Sequence, residues 1–201
     1  MGPEYHGVER ALVEADDLDA VRDVLAGRTE RFSHLVRRYQ RLVGSLVFRM
    51  GAPAEDSEDL VSEIFIKVYE NLGRYRPEHA FSTWLYRIAA NHILDYQRRR
   101  RREKPRIELP ETLADPGPPP SAAAERAEVS ERVRRLLPLL DEKYRAVLVL
   151  MHVEGKRIEE ISGILGIPSG TVKTRLSRGR DRLAEIILKH DPALIEEGGL
   201  S

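Results

Sequence analysis

Cysteine does not occur once in the 201 residues, which removes disulfides, thiolate metal sites and cysteine nucleophiles together. No apolar run exceeds six residues, Ala146 to Met151, so no stretch is long enough to span a bilayer. The first thirty residues are polar and acidic and lack the apolar segment of a signal peptide. A cytoplasmic protein without membrane insertion is the expectation. The six histidines, at positions 6, 34, 79, 92, 152 and 190, are scattered, with no HExxH or paired-ligand spacing. A glycine-rich phosphate loop is missing too, so no metal, cofactor or catalysis is expected. Strand alternation and internal repeats are equally absent, which leaves helix as the only regular element to look for.

Net charge is also lacking: 33 basic residues balance 33 acidic ones. The balance hides blocks of opposite sign. Residues 1–96 carry 12 basic against 16 acidic side chains, and residues 97–106 carry seven against one. Residues 107–130 carry one against five, and residues 131–201 carry 13 against 11. Alternating blocks imply surfaces with different partners, at least one of them a polyanion.

What is present is helical periodicity. Asp17 to Ala26 reads as a short first helix ended by Gly27. Phe32, Leu35, Val36, Tyr39, Leu42, Val43, Leu46 and Val47 recur at spacings of three and four until Gly51-Ala52-Pro53. Asp56 or Ser57 can cap the next helix, whose apolar set is Leu60, Val61, Ile64, Phe65, Val68, Tyr69 and Leu72. After a loop from Gly73 to Ala80, Ser82 or Thr83 opens a helix carrying Trp84, Leu85, Ile88, Ala89, Ile93 and Leu94 into Arg98–Arg102. Lys104 to Ala124 holds six prolines and no periodic pattern, the composition of a linker. Beyond it, helices are expected from Ser121 to Pro138, Asp141 to Val153, Ile158 to Leu165 and Ser169 to Lys189. The expected fold is all-α: two small helical domains joined by a flexible Pro-rich linker. In residue numbers this is an extension 1–16, a first domain 17–102, a linker 103–121, a second domain 122–190 and a tail 191–201.

The stretch RIEEISGILGIPSGTVKTRLSRGRDRL, from Arg157, has the layout of a helix-turn-helix. Ile158, Ile161, Ile164 and Leu165 make one apolar face, and Val172, Leu176 and Leu183 make another. Gly166 suits the left-handed residue between the helices, and Ser169 the cap of the second. Lys173, Thr174, Ser177 and Arg178 stand opposite the apolar face, flanked by Arg175, Arg180 and Arg182, in residue types that bond base edges. Gly170 and Thr171 offer backbone N–H groups to a phosphate, and Lys156 and Arg157 add charge before the first helix. A solvated basic helix covering a core is the plainer alternative; the turn, cap and paired apolar faces weigh against it.

Both halves resemble one family. FSHLVRRYQRLVGSLVFRM, EDSEDLVSEIFIKVYENLGRYRP and FSTWLYRIAANHILDYQRRRRR are similar to region 2 of the bacterial sigma-70-type factors of the extracytoplasmic-function group. LLDEKYRAVLVLMHVEGKRIEEISGILGIPSGTVKTRLSRGRDRL is similar to their region 4, and the resemblance spans about 15–190. It implies that Asp56, Asp59, Leu60, Glu63, Ile64 and Lys67 dock on the β′ clamp coiled coil of core RNA polymerase. An acidic first turn that merely suits the helix dipole stays open for Asp56. It implies that Tyr75, Arg76, His79 and Phe81 line a pocket for a flipped −10 base, that Asn91 bonds a base edge, and that Arg98, Arg99, Arg100 and Arg101 follow the phosphates. Asn is independently conspicuous in mid-helix. Region 4 would read the −35 element through Lys156, Arg157, Ser169, Gly170, Thr171, Lys173, Thr174, Arg175, Ser177, Arg178 and Arg182. Core polymerase (β′ clamp and β flap), promoter DNA and an anti-sigma factor are the implied partners, with Glu108, Glu111 and Asp115 of the linker mimicking nucleic acid. Two departures stand out: Pro138 should end a region 4 helix early, and Gly179, where the family often has Ala, should loosen the reading helix. An ordinary helix-turn-helix regulator is the competing reading.

Overall fold

The computed structural model describes residues 3–103, 129 and 131–196, and every regular element among them is helical. The Pro-rich linker beyond Glu103, the helix start expected near Ser121, and Glu108, Glu111 and Asp115 lie outside the described residues. Two compact units divide the chain, the first built mainly on residues up to Ile93 and the second on those from Leu94 onward.

In the first unit, α1 spans Pro3–Leu25, far longer than the helix expected from Asp17. Proline suits the first helical position because it has no N–H to leave unbonded there, and nothing breaks the chain before Gly27, whose φ of 95° ends the run. Apolar periodicity alone could not find this helix, because Ala11, Leu12 and Ala15 face solvent. What ties α1 to α2 (Phe32–Arg49) is polar. Asp17 is 1% exposed, yet Arg38 reaches it at 2.6 Å and the Tyr39 hydroxyl donates to it. Asp16 accepts from Arg38 and lies 2.8 Å from His34, and these two partners hold its carboxyl below the usual range. Burial, with Asp17 second, pushes the Tyr39 hydroxyl well above its ordinary value.

Helix α3 (Ala54–Asn71) begins after an extended Pro53, so Asp56 and Ser57 sit inside its first turn rather than capping it. Ser57 instead bonds back to the Pro53 carbonyl at 2.8 Å. Helix α4 runs Phe81–Glu103. Val21 and Val24 of α1, Leu35, Val43 and Leu46 of α2, Leu60, Ile64 and Val68 of α3, and Phe81, Leu85 and Ile93 of α4 are buried. Those of α2 and α3, and Leu85 and Ile93 of α4, belong to the stripes the spacing predicts; Val21, Val24 and Phe81 join the core from outside them.

In the second unit α5 covers residues 131–136 and gives way to a tight turn at Leu137–Leu139, where Pro138 ends it as expected. Arg145, buried in α6 (Glu142–Leu148), donates to the carbonyls of Leu137 at 3.3 Å and Pro138 at 2.8 Å. The Pro138 carbonyl, left over where the helix breaks, thus finds a partner, and the Leu137 carbonyl gains a second beside the Leu140 N–H. Burial pulls the Arg145 guanidinium down to about 10. A π-helical turn, Val149–Val153, prolongs α6; α7 is Ile158–Leu165, α8 Ser169–His190 and α9 Ala193–Glu196.

Pro168, not Ser169, caps α8, and Ser169 is its first helical residue. Gly179 also departs from expectation. It is buried, and a Cβ there would stand 3.3 Å from both the Leu148 Cδ1 and the Tyr144 Cβ. The glycine lets α8 cross α6 at close range and so tightens the helix against its support. Arg132 and Asp191 join α5 to the end of α8 through a two-pronged ion pair, one arm at 2.8 Å, which holds the Asp191 carboxyl below its usual range.

Candidate functional site

Three surfaces carry the residues singled out above. On α3, Asp59, Glu63 and Lys67 are exposed and Asp56 is half-buried, but Leu60 (2%) and Ile64 (0%) are enclosed in the first unit's own core. They cannot serve as anchors for a partner as placed. The apolar side chain on this face is Ile66, 58% exposed, three residues past Glu63 and four before Glu70. Tyr69 lies further along, edge-on to Phe32 at 5.1 Å and partly open to solvent. The available signal was an isoleucine off the buried stripe. One apolar side chain rimmed by carboxylates has the anatomy of a protein-binding hot spot.

His92, next to Asn91 on α4, turns inward. It is 4% exposed, and its Nε2 lies 2.7 Å from the Glu63 Oε2. Asn91 beside it is half-buried on α4.

The loop before α4 is held from below by aromatic rings. Tyr75 packs edge-on to Phe81 at 5.5 Å and tilted against Trp84 at 5.5 Å, and Phe81 also meets Tyr39 at 5.4 Å. The Tyr75 hydroxyl donates to the His79 carbonyl at 2.9 Å, and its burial raises the hydroxyl's pKa. Tyr75 and Phe81 are therefore the loop's foundation, while Arg76 and His79 form its exposed rim. Arg76 also donates to the Gly73 carbonyl at 3.2 Å. Trp84, first of that helix's apolar set, is only half-buried. Along α4, Arg98, Arg99 and Arg101 are exposed, and Arg100 is half-buried, donating to the Tyr96 hydroxyl at 2.8 Å. Arg98 pairs with Asp95 at 2.9 Å.

The helix-turn-helix takes the expected form. Ile161 and Ile164 bury one face of α7, Gly166 adopts φ 64° and ψ 35°, and Ile167 donates its N–H to the Ser162 carbonyl at 3.2 Å. Glu160 reaches back to accept the Arg157 N–H at 2.9 Å, closing the first turn of α7. Val172, Leu176, Gly179, Leu183 and Ile187 seat α8. That seating leaves Gly170, Lys173, Thr174, Ser177, Arg178 and Arg182 exposed, with Ser169, Thr171 and Arg175 half-buried. Of the two residues before α7, Arg157 is exposed and Lys156 half-buried. Thr174 spends its hydroxyl proton on the Gly170 carbonyl at 2.9 Å, so outward it offers acceptor capacity and a methyl group. Asp181, which the sequence reading passed over, is also exposed, one turn beyond Ser177 and Arg178. It breaks the run of positive charge along α8.

Among the described residues no group of three His, Asp or Glu side chains could hold a metal ion, and no helix is long and apolar enough to cross a membrane. Residues 35–103 match the sequence profile described as Sigma-70 region 2, and residues 130–183 match that of Sigma-70, region 4. The chain is 34% identical over 175 residues to the ECF RNA polymerase sigma factor SigW of Bacillus subtilis, covering 81% of this chain and 92% of that protein. It is 36% identical over 172 residues to the ECF RNA polymerase sigma-E factor of Escherichia coli, covering 81% and 90%. In fold it is similar to the sigma factor RpoE solved with the anti-sigma factor NepR from Bartonella quintana, at a TM-score of 0.59 and 23% identity over 80% of this chain and 98% of that one.

Proposed function

This chain belongs to the extracytoplasmic-function (ECF) sigma factors of RNA polymerase, acting in promoter-specific transcription initiation, and from that premise we propose how its surfaces share the work. The first domain, residues 17–102, docks on core polymerase through the exposed face of α3, with Asp59, Glu63 and Lys67 steering and Ile66 as apolar anchor. The same domain captures −10 bases unstacked from the duplex, through Arg76, His79 and Asn91, while Arg98 to Arg101 follow the phosphates. Tyr75 and Phe81 support that loop from beneath.

The second domain, residues 122–190, lays α8 in the major groove of the −35 element. Lys173, Thr174, Ser177 and Arg178 face base edges, and Lys156, Arg157, Ser169, Gly170, Thr171, Arg175 and Arg182 lie nearer the phosphates. The chain contributes recognition; bond formation belongs to the polymerase it joins, in the cytoplasm. An anti-sigma factor is a further partner, supported by the sigma factor RpoE solved in complex with the anti-sigma factor NepR.

The observation that carries this reading is the pairing, on one chain, of an acid-faced helix with a lone exposed isoleucine and a two-helix unit whose outward face bears base-reading side chains. An ordinary helix-turn-helix regulator would account for the second and leave the first unexplained. Run-off transcription with sigma-free core polymerase on a fragmented genomic library is the test. Discrete start sites sharing −35 and −10 motifs are expected. Duplex binding without any transcript would overturn the assignment of the first domain.

A further inference from the structure

We propose that His92 is a positioning residue for polymerase docking: from inside the first domain it holds the Glu63 carboxylate in place on the exposed face of α3. This rests on the reading of that face as the docking surface.

The two side chains differ sharply in their freedom. The His92 side chain is 3% exposed, fixed by its packing in α4, whereas the Glu63 side chain is 52% exposed. Between them the ring Nε2 and the carboxylate Oε2 are 2.7 Å apart. An ionised carboxylate can only accept, so Nε2 carries the proton and the bond is charge-assisted, short and directional. A solvent-facing glutamate otherwise samples many rotamers, and a partner that needs its charge at one place must freeze them on binding. Here a rigid donor on the neighbouring helix has already removed that freedom. Asp59 stands one turn before Glu63 and Ile66 nearly one turn after it, both exposed, so the fixed carboxylate lies between the other two elements of the face. The buried His92 ring thereby preorganises a surface that it never itself touches.

The test is the affinity of the full-length chain for core polymerase, with thermal unfolding of each variant alongside. His92→Leu removes the donor while keeping the site filled, and His92→Gln offers an amide donor at similar reach. Freezing one free carboxylate side chain corresponds to about a two- to tenfold loss of affinity. That loss is expected for His92→Leu, with most of it recovered in His92→Gln. In a Glu63→Ala background, His92→Leu should add nothing. Equal losses in the Leu and Gln variants, or an undiminished loss in the Glu63→Ala background, would show that His92 only supports the fold and would overturn the inference. Asp59→Lys tests the surface itself. If it binds core normally, α3 is not the docking face and both readings fall; if it binds poorly while the His92 loss is independent of Glu63, only the inference does.

Discussion

Replacing Gly179 by a β-branched residue should unseat the DNA-reading helix, and the size of the effect follows from the α6–α8 crossing. A Cβ at position 179 would meet the Leu148 Cδ1 and the Tyr144 Cβ at 3.3 Å, inside ordinary carbon–carbon contact at about 3.5–4.0 Å. The Leu148 methyl can rotate away, but the Tyr144 Cβ is fixed to the backbone of α6. In Gly179→Ala a helix-propensity gain of about 1 kcal/mol opposes a few tenths of an ångström of forced separation, and the net should fall within about 1 kcal/mol of zero. Gly179→Val adds two more methyl groups with little gain in propensity, and overpacking should cost about 2–3 kcal/mol.

Tryptophan fluorescence would report the wrong half, because Trp84 is the only tryptophan and belongs to the first unit. Hydrogen exchange of the α8 amides in the full chain reads the right one. The Val variant should exchange about 30- to 150-fold faster there, since every 1.4 kcal/mol is tenfold. Exchange in α2 and α3 should be unchanged, and duplex affinity should fall in parallel. A Val variant with exchange within about threefold of the parent and undiminished DNA binding would refute the reasoning, and the glycine would have no structural role.

Ile66→Ala should weaken binding to core polymerase by at least about 1 kcal/mol, the threshold for an anchor residue, while leaving thermal stability unchanged because the side chain is 58% exposed. Arg178→Ala should cost about 1–3 kcal/mol at one −35 base position, read from binding to a substituted duplex series. Equal loss on every sequence would make it a phosphate contact. Arg38→Met leaves the carboxylate of Asp17, 1% exposed, with the Tyr39 hydroxyl but no cation, and should destabilise the first domain by about 3 kcal/mol in urea unfolding. Asp191→Asn should cost about 1.5–3 kcal/mol near pH 7. The Arg132 partner depresses the Asp191 pKa, so this stabilisation is present above the unfolded value of about 3.9 and is lost as pH falls through the folded one. Parent and variant melting temperatures should therefore converge as pH is lowered below about 4.

Helix α2, the helix-turn-helix and the left-handed Gly166 are all legible in the sequence, because each depends on neighbours along the chain. A stripe at spacings of three and four needs one buried face, and a turn between two such stripes needs a residue tolerant of positive φ. Pro138 was as transparent, since it removes a helical donor wherever it stands. Helix α1 was not. Its anchor is the Asp16–Asp17 pair meeting His34, Arg38 and Tyr39 across helices, a polar contact without period. Side-chain direction was the other gap. Leu60 and Ile64 share an apolar helix with Ile66, and only packing turns the first two inward and the third outward. Tyr75 and Phe81 went under the loop rather than onto it for the same reason. Gly179 marks the division most sharply. By itself the sequence determined that a glycine interrupts the reading helix, which local propensity counts as a weakness. Tertiary structure alone decided that the missing Cβ faces Leu148 and Tyr144 of α6 at close range, because the distance between two helices is set by the side chains that meet at their crossing.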